Sequence, residues 1–570
     1  MASIPIRQRI RSAIGGIVRR RLLKSRDRFL ETAQHRCEET QARTLSRILK
    51  LNADSQFSRQ HGLKSHLSVA DYQKQFPVST YDTFRSAIDQ MVAGDHQALL
   101  GAANPLLMYA LTSGTTSSAK RIPVTKQFVK DYRRGWQHWG ISIHEQYPEM
   151  KLRKMVQLIS HHDVERTASG IPCGNISGLV TAMQSPIIRK LYTIPWQVSL
   201  VDDPLQRRIL AARYAVADPW AGMFVTANPS SLISLLNTAD ENAESIVRDI
   251  SDGTALCAEL ASGLRTQLSR RLKPNPERGR AIEKIFEQHG SLMPQQLWPN
   301  LCVLGVWTGG SVSAYLPELK QRFGNLPIRD HGLHASEGRM TIPIQDDSSA
   351  GILDIDSHFF EFIAQPITAS GSANTAEILQ AHQLEVDGCY EILLTTSSGL
   401  YRYNIHDVVR CRGFYGSTPL LEFLHKAAHI SSITGEKITE SQVVSAVTDA
   451  LTSIGYDHRS GSGVFTMTPS WADPPGYQLF VSHQLSSEQV IRLAEQADRR
   501  LAELNCEYDD KRRSGRLHQM VCQCVTGEQW RRFTESRLRH SGGSQEQYKH
   551  PFLLPDPKFE HRFKQGAGIA

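Results

Sequence analysis

The sequence predicts an α/β protein of two domains, a large domain of mixed sheets and helices followed by a smaller, mobile α+β domain. With 570 residues the chain exceeds the usual length of one domain. Short apolar runs bounded by glycine or proline alternate with helical stretches, which is typical of α/β architecture. A fresh series of strand and helix patterns begins after a hinge near 425–438, so we place the domains at 1–425 and 426–570.

The elements follow this order along the chain. Residues 26–60 have helical spacing, and NADSQFSRQHG (52–62) is a turn-rich connection at the end of that stretch. Five strand-like runs come next: KMVQLIS (154–160), AGMFVTA (221–227), NLCVLGVWTGG (300–310), YEILLTT (390–396) and YRYNIHDVVRCRGFY (401–415). The stretch 424–451 ends in a helix, for which Thr439 or Ser441 is the candidate N-cap.

Composition narrows the class of protein. Apolar residues make up 40% and charged residues 21%, as in ordinary globular proteins. No apolar run reaches the roughly 18 residues of a membrane span, and no signal-peptide pattern opens the chain. The nine cysteines are scattered, and the one close pair, Cys522 and Cys524, is not a zinc site. We therefore expect reduced thiols and a cytoplasmic protein.

Positive charge is concentrated at the start of the chain. The net charge is +8, and in the first 30 residues basic side chains far outnumber Asp27. A membrane-surface helix or a transit peptide would account for this pattern. The pattern also fits a solvated amphipathic helix that begins the fold, which is the interpretation we favour.

The stretch TSGTTSSAKR, Thr112 to Arg121, has the composition of an anion-binding loop. Its hydroxyl groups can donate hydrogen bonds to phosphate, and Gly114 allows backbone amides to point the same way. Lys120 and Arg121 supply positive charge beside the loop. It is not a Walker A loop, and an ordinary polar turn remains an alternative.

Three further segments carry candidate side chains. HGLHASEGRM places Ser336 and Glu337 on a loop, where a carboxylate can hold Mg²⁺ against phosphate oxygens. GLYRYNIHDVV places Asp407 just past an aromatic-rich strand, where it can accept hydrogen bonds from ribose hydroxyls. SQEQYKHP places Lys549 on a late loop. Taken singly, each of these also fits a surface or turn residue.

Together and in this order, TSGTT, HASEG, YRYNIHD and ITGEKITE resemble the adenylate-forming superfamily, and specifically the Gretchen Hagen acyl-acid amido synthetases of auxin and jasmonate conjugation. The resemblance extends from about Gln41 to Pro551 and includes FPVSTYDTFRSAIDQMVAGD, WPNLCVLGVWTGGSVSAYLPEL and GGSQEQYKHP. We expect a divergent, microbial-type member of this family.

The resemblance implies a two-step ligase that forms carbon–nitrogen bonds with ATP and Mg²⁺. A carboxylic acid first attacks ATP to give an acyl adenylate and pyrophosphate, and an amine, usually of an amino acid, then displaces AMP. It implies phosphate binding by Ser113, Gly114, Thr115, Thr116 and Arg121, and Mg²⁺ and phosphate binding by Glu337 with Ser336 beside it. Asp407 would hold the ribose and Tyr403 would border the nucleotide. Lys437 and Lys549 would be catalytic cations that rotation of the second domain brings to the reacting groups.

Several positions depart from the family pattern. Ser118 stands where glycine is usual, Arg121 where lysine is usual, and Leu333 where an aromatic residue is usual. His406 replaces a glycine, and histidine tolerates positive φ better than most residues. Lys426 occupies a position near the hinge where arginine is common.

Other functions remain open from the sequence. An adenylate-forming enzyme can also transfer the acyl group to coenzyme A, and the departures could mark a non-catalytic nucleotide-binding scaffold. The HHD at 161–163 does not predict a metal site, because adjacent histidines in a strand point to opposite faces. No zinc-finger, RNP or helix-turn-helix pattern indicates a nucleic-acid partner. The acid, the amine and the oligomeric state cannot be deduced from the sequence.

Overall fold

The structure, a computed structural model, divides the chain into two compact units that are not continuous in sequence. The first comprises Met1–Trp307, Leu326–Ile405 and Val409–Glu422, and the second Thr308–Asn325, His406–Val408 and Phe423–Ala570. The residues described are 6–112, 120–158, 161, 163–184, 186–270, 272–365, 377–426, 430–431, 433–434, 436, 438–456, 464–470, 474–482, 485–541 and 549–555.

The helices of these residues lie in both units. Their bounds are α1 Ile6–His35, α2 Cys37–Leu51, α3 Gln56–Gln60, α4 Val69–Gln75, α5 Tyr81–Ala93, α6 Lys126–Gln146, α7 Ile176–Ala182, α8 Pro186–Arg189, α9 Pro204–Ala217, α10 Pro229–Glu241, α11 Ala243–Asp252, α12 Ser262–Ser269, α13 Pro276–His289, α14 Pro294–Leu297, α15 Leu316–Phe323, α16 Glu440–Ser453, α17 Ser487–Leu504, α18 Cys506–Arg513 and α19 Gly527–Ser541.

The strands form six sheets within the described residues. Their bounds are β1 Leu106–Thr112, β2 Lys120–Thr125, β3 Lys154–Gln157, β4 Glu165–Arg166, β5 Pro172–Gly174, β6 Ala221–Thr226, β7 Val303–Val306, β8 Ile328–Asp330, β9 His334–Ala335, β10 Gly338–Arg339, β11 Thr341–Ile342, β12 Gly351–Leu353, β13 Phe359–Ala364, β14 Ile378–Gln380, β15 Cys389–Thr395, β16 Tyr403–Tyr415, β17 Thr418–Lys426, β18 Ile430–Ser431, β19 Ile438–Thr439, β20 Phe465–Ser470, β21 Gly476–Val481 and β22 Val521–Cys524.

The centre of the first unit is a parallel sheet in the order β3-β6-β7-β8. Every residue of β6, β7 and β8 is buried, as expected for parallel strands covered on both faces. Gly305 allows α6 to pack directly on this sheet, because a Cβ there would lie 2.8 Å from the Trp139 ring. The indole of Trp139 donates a hydrogen bond to the Asp330 carbonyl at 2.7 Å.

Two further sheets have four and seven strands. The first unit contains a four-stranded sheet in the order β2-β1-β5-β4. A seven-stranded sheet has the order β11-β12-β17-β16-β15-β13-β14. His406–Val408 of β16 and the last residues of β17 group with the second unit, whereas the rest of this sheet belongs to the first.

The second unit has its own sheet and helices. Its strands are ordered β20-β21-β22, with β20 antiparallel and β22 parallel to β21. The helices α16 and α17 pack on each other. Thr439 is the N-cap of α16, since its side chain accepts a hydrogen bond from the Gln442 amide at 3.3 Å.

The predicted α/β class is confirmed, and each of the five strand-like runs contains a strand. Thr439, one of the two candidate caps, is the N-cap of its helix. All nine cysteines carry free thiols. Among the described residues, none of the helices is both long and apolar enough to cross a membrane. The proposed domain boundary at 425/426 stays a prediction.

Candidate active site

Glu337 lies at the tip of a tight hairpin. β9 and β10 pair antiparallel, so Ser336 and Glu337 form a two-residue turn between them. The turn is held closely, because a Cβ on Gly338 would lie 2.7 Å from Nε2 of the buried His358. Glu337 itself is only 9% exposed. A carboxylate that is nearly buried on a rigid turn is suited to a fixed ligand rather than to bulk solvent.

Tyr403, the first residue of β16, borders this carboxylate. It is 2% exposed, and burial together with the negative charge of Glu337 raises its pKa well above the usual range. The phenol therefore stays protonated and can serve as a hydrogen-bond donor near Glu337. Its position is fixed by the adjacent backbone, where the Asn404 amide donates to the Ser79 carbonyl at 2.9 Å.

The β1–β2 hairpin brings the two ends of the predicted phosphate loop together. Thr112 pairs with Lys120, and the backbone amide of Arg121 donates to the Tyr81 hydroxyl at 3.1 Å. The Lys120 ammonium lies 5.5 Å from the centre of the Tyr81 ring. Tyr81 also contributes to the raised pKa of Tyr403, so the base of the loop and Glu337 influence the same phenol.

The loop itself, with Ser113, Gly114, Thr115 and Thr116, lies outside the described residues. Arg121 at its base is described, and its guanidinium contacts Glu165 at 3.2 Å. Both side chains are substantially exposed, at 41% and 50%. An exposed ion pair of this kind contributes little free energy. The guanidinium can therefore leave Glu165 for a phosphate at a small cost in free energy.

Asp407 belongs to the second unit, and its carboxylate pairs with the Lys426 ammonium. The sequence places Asp407 just past a strand, but it lies inside β16, and the hairpin turn comes only after Tyr415. His406 has φ of +58°, in the left-handed region where the replaced glycine would be unstrained. The local change of direction breaks the regular alternation of the strand immediately before Asp407.

Lys437 and Lys549 are the two cationic residues predicted in the second domain. Lys437 lies outside the described residues. Lys549 is exposed and precedes the anchored segment Pro551–Leu553, in which the Phe552 amide donates to Glu440 at 2.8 Å. The neighbouring His550 is buried, with burial lowering its pKa to about 4, and contacts Thr466 Oγ1 at 2.9 Å.

An aromatic cluster, which we define as Trp136, Trp139, His331 and His334, stands beside the Glu337 hairpin. The ring centres of Trp136 and His334 are 5.6 Å apart, and those of Trp136 and His331 are 5.0 Å apart. Trp136 and His334 are half-buried and so retain accessible surface. Its two histidines follow the carboxyl end of β8, the edge at which parallel sheets of this kind bind ligands, and its two tryptophans lie on α6.

The residues that follow β6 and β3 lie at the same edge of the parallel sheet as those that follow β8. Asn228 and Pro229 come directly after β6, and Asn228 Oδ1 caps α10 by accepting from the Ser230 amide at 3.0 Å. His161, which follows β3 in sequence, accepts a hydrogen bond from the Asn175 amide through its carbonyl at 3.4 Å. The described loops after β3, β6 and β8 thus belong to one edge of the sheet.

Comparison with known proteins decides the family. The GH3 family N-terminal domain profile matches residues 26–328, the central domain profile 351–426 and the C-terminal domain profile 441–558. The chain belongs to the GH3 family. This confirms the family predicted from the motifs, and the microbial-type assignment stays a prediction.

Relatives of this GH3 chain cover nearly its whole length. It is 24% identical to indole-3-acetic acid-amido synthetase GH3.4 of Arabidopsis thaliana, over 92% of this chain and 90% of that one. It is 26% identical to jasmonoyl--L-amino acid synthetase GH3.5 of Oryza sativa subsp. japonica, over 90% and 91%. The solved GH3.15 acyl acid amido synthetase has the same fold, with TM-score 0.80, 19% identity and coverage of 95% and 96%.

Four features were not predicted from the sequence: Tyr81, the pairing of Lys426 with Asp407, the buried Glu436 of the second unit and the aromatic cluster. Glu436 is fully buried and accepts hydrogen bonds from the Ile433 and Thr434 amides at 2.7 and 2.8 Å. Burial alone would raise its pKa, but these bonds and one from Tyr477 hold it below the usual value. The two tryptophans three residues apart on α6 were the signal available for the aromatic cluster.

Proposed function

We propose that this GH3 chain is an ATP-dependent acyl-acid amido synthetase, a ligase that joins a carboxylic acid to an amine, the latter from an amino acid. The observation that carries the proposal is Glu337, nearly buried on a two-residue turn beside Tyr403. The names of the relatives and the fold shared with an acyl acid amido synthetase support the same activity.

The donor set fits ATP with Mg²⁺. Among the described residues, no group of three or more histidine, cysteine or acidic side chains is arranged as a metal site. Mg²⁺ commonly uses one or two carboxylates and completes its shell with water and substrate phosphates, so Glu337 suffices on the protein side. The ion would supply positive charge to the phosphates. Lys120 and Arg121 at the base of the β1–β2 loop supply the remaining cations.

The first step forms a bond between an oxygen of the acid and the α-phosphorus of ATP and breaks the bond to pyrophosphate. Negative charge grows on the phosphoryl oxygens, so donors and cations already in place lower the barrier. We assign phosphate binding to Ser113, Gly114, Thr115, Thr116 and Arg121. The ion pair between Arg121 and Glu165 is exposed, so its loss when phosphate arrives would cost little free energy.

Further side chains would orient the nucleotide and the acid. Asp407 would accept hydrogen bonds from the ribose, with Lys426 holding one carboxylate oxygen. Tyr403 and Ser336 would border the adenylate on the Glu337 side. The aromatic cluster would provide the apolar surface for the acyl group. It would also supply the aromatic ring that the family usually has at position 333, where this chain has a buried leucine.

In the second step the nitrogen of the amine attacks the carbonyl carbon, AMP leaves and the nitrogen loses a proton. Lys437 and Lys549 are the cations that we assign to stabilising the leaving phosphate or the carbonyl oxygen. Both lysines belong to the second domain, so rotation of that domain would bring them to the reacting groups.

The test is acid-dependent exchange of labelled pyrophosphate into ATP, measured over a broad panel of carboxylic acids. We expect exchange with one class of acid, followed by amide formation when amino acids are added. No exchange with any acid contradicts the proposal and favours the scaffold alternative. Exchange followed by thioester formation with coenzyme A, but no amide, favours an acyl-coenzyme A ligase.

A further inference from the structure

The net positive charge of the chain is located in one segment. Residues 1–28 contain nine lysine or arginine residues and one acidic residue, a net charge of +8. The entire chain also has a net charge of +8, so the remaining residues are balanced. Such separation indicates a segment with a partner of its own, since a general solubilising charge would be spread over the surface.

Apolar positions recur within the same segment. Ile6, Ile10, Ile14 and Ile17 are spaced four, four and three residues apart, which places these positions along one side of α1. Arginine positions at 7, 9 and 11 flank that side, and Arg19, Arg20 and Arg21 follow. A helix with an apolar stripe bordered by arginine is typical of segments that lie in the interface of a membrane.

Two adjacent aliphatic side chains of α1 are exposed to solvent. Ile17 is 73% exposed and Val18 is 50% exposed. A Cβ at Gly15 or Gly16 would find no atom within 4 Å, so these two positions face open space.

The second half of the same helix is firmly fixed. Phe29 and Ala33 are buried, and Arg26 pairs with Glu145 and with Asp27, the latter at 2.6 Å. Because α1 is one continuous helix from Ile6 to His35, an attachment at its first half would be transmitted rigidly to the first unit. The GH3 N-terminal profile begins only at residue 26, so the basic segment is not part of the family match.

We propose that residues 6–24 dock on the surface of an anionic lipid bilayer. The isoleucine side of the helix would enter the boundary between headgroups and acyl chains, and the arginines would neutralise anionic headgroups. A polyanion such as RNA would match the charge but would leave the exposed Ile17 and Val18 without a role. The apolar stripe therefore favours lipid over nucleic acid.

The test measures co-sedimentation of the full-length protein with vesicles of phosphatidylcholine and phosphatidylserine, and with vesicles of phosphatidylcholine alone. We expect binding to the anionic vesicles only, weakening as salt is raised above about 0.1 M. Arg20→Ala with Arg21→Ala should reduce binding about tenfold or more. Arg280→Ala with Lys284→Ala removes the same charge from exposed positions of α13 and should leave binding unchanged.

Ile17→Glu distinguishes lipid from nucleic acid. This change at an exposed position should abolish vesicle binding while amide formation, measured without vesicles, continues. Equal binding to neutral and anionic vesicles, or no binding to either, overturns the proposal. So does binding to polyuridylate that Ile17→Glu leaves unchanged. These outcomes are independent of whether the enzyme has the proposed ligase activity.

Discussion

Asp407 and Lys426 lie on the neighbouring strands β16 and β17, and their side chains form an ion pair. Both were identified as candidates or as departures from the family pattern, but their pairing arises from two strands joined by a turn. Charge, spacing and motif order are properties of local sequence, whereas the identity of a partner depends on strand register. The same limit applies to Glu337, whose motif was predicted but whose burial depends on tertiary packing around the hairpin, where the neighbouring Gly338 lies against His358 and Leu394.

Asp407→Asn tests the ribose assignment. The substitution keeps the shape but removes the charge that accepts ribose hydrogen bonds and pairs with Lys426. Hydrogen bonds to charged groups contribute about 1.5–3 kcal/mol, so we expect Mg·ATP affinity to fall roughly 10- to 100-fold. Isothermal titration of Mg·ATP measures this directly.

Asp387→Asn is the matched control, because Asp387 is an exposed carboxylate paired with Arg412. It should bind Mg·ATP as the unaltered protein does. If Asp407→Asn also retains full affinity, the ribose assignment is wrong.

At the scale of elements, Arg402 fixes the beginning of β16 against α4. Its guanidinium pairs with Glu361 at 3.0 Å and donates to the Gln73 and Phe76 carbonyls at 2.9 and 2.6 Å. Both charged side chains are almost fully buried. The next residue is Tyr403, so this ion pair determines where β16 enters the candidate site.

Arg402→Leu leaves Glu361 buried without its cationic partner, and we expect a loss of about 3–5 kcal/mol in the free energy of unfolding. Arg412→Ala removes an exposed arginine of the same strand and should cost about 1 kcal/mol or less. Chemical denaturation of both variants makes the comparison. Similar losses for the two would contradict the structural role assigned to Arg402.

Gly338→Ala tests whether the Glu337 hairpin must pack closely. The added Cβ would lie 2.7 Å from His358 Nε2 and 3.1 Å from Leu394, so the turn must shift. We expect pyrophosphate exchange to fall at least tenfold, since misplacement of a binding group by about 1 Å has costs of this order or larger. Gly263→Ala, at an exposed position of α12 where an added Cβ meets no atom within 4 Å, is the control for the chemical change alone. Exchange that is unaffected in Gly338→Ala would exclude tight positioning.

For the whole molecule, the sequence predicted the fold class and the strand-bearing segments because hydrophobic runs and turn residues are local signals. It contained no comparable signal that Thr308–Asn325 would group with residues after Phe423. That grouping depends on contacts such as the one between the Tyr315 and Phe552 rings, whose centres are 5.7 Å apart. Hydrophobic periodicity is a local signal, so it cannot predict a contact between residues this far apart in sequence.

Buried histidines should make the stability of the first unit depend on pH. Burial lowers the pKa of His138 and of His358 from 6.5 to about 3 in each case. Each group therefore binds its proton more readily in the unfolded chain, and stability is lost as pH falls below 6.5. The expected loss is about 1.4 kcal/mol per pH unit for each histidine. Burial raises the pKa of Asp354 to about 6, which opposes part of this loss below that pH.

His138→Gln isolates one contribution. It should reduce the dependence of unfolding free energy on pH by about 1.4 kcal/mol per unit between roughly pH 6 and 4. Denaturation followed by tryptophan fluorescence is suitable, because Trp136 and Trp139 lie on the same helix. His66→Gln at an exposed position serves as the control. An unchanged pH dependence in His138→Gln would contradict the buried neutral state of His138.

We propose that Glu337 holds the ion and phosphates during formation of the acyl adenylate. The most direct measurement is the rate of acid-dependent pyrophosphate exchange by Glu337→Gln, compared with Glu377→Gln at an exposed position. We predict a fall of about 100-fold or more for Glu337→Gln and no change for the control. Exchange by Glu337→Gln at the rate of the unaltered enzyme would contradict the account.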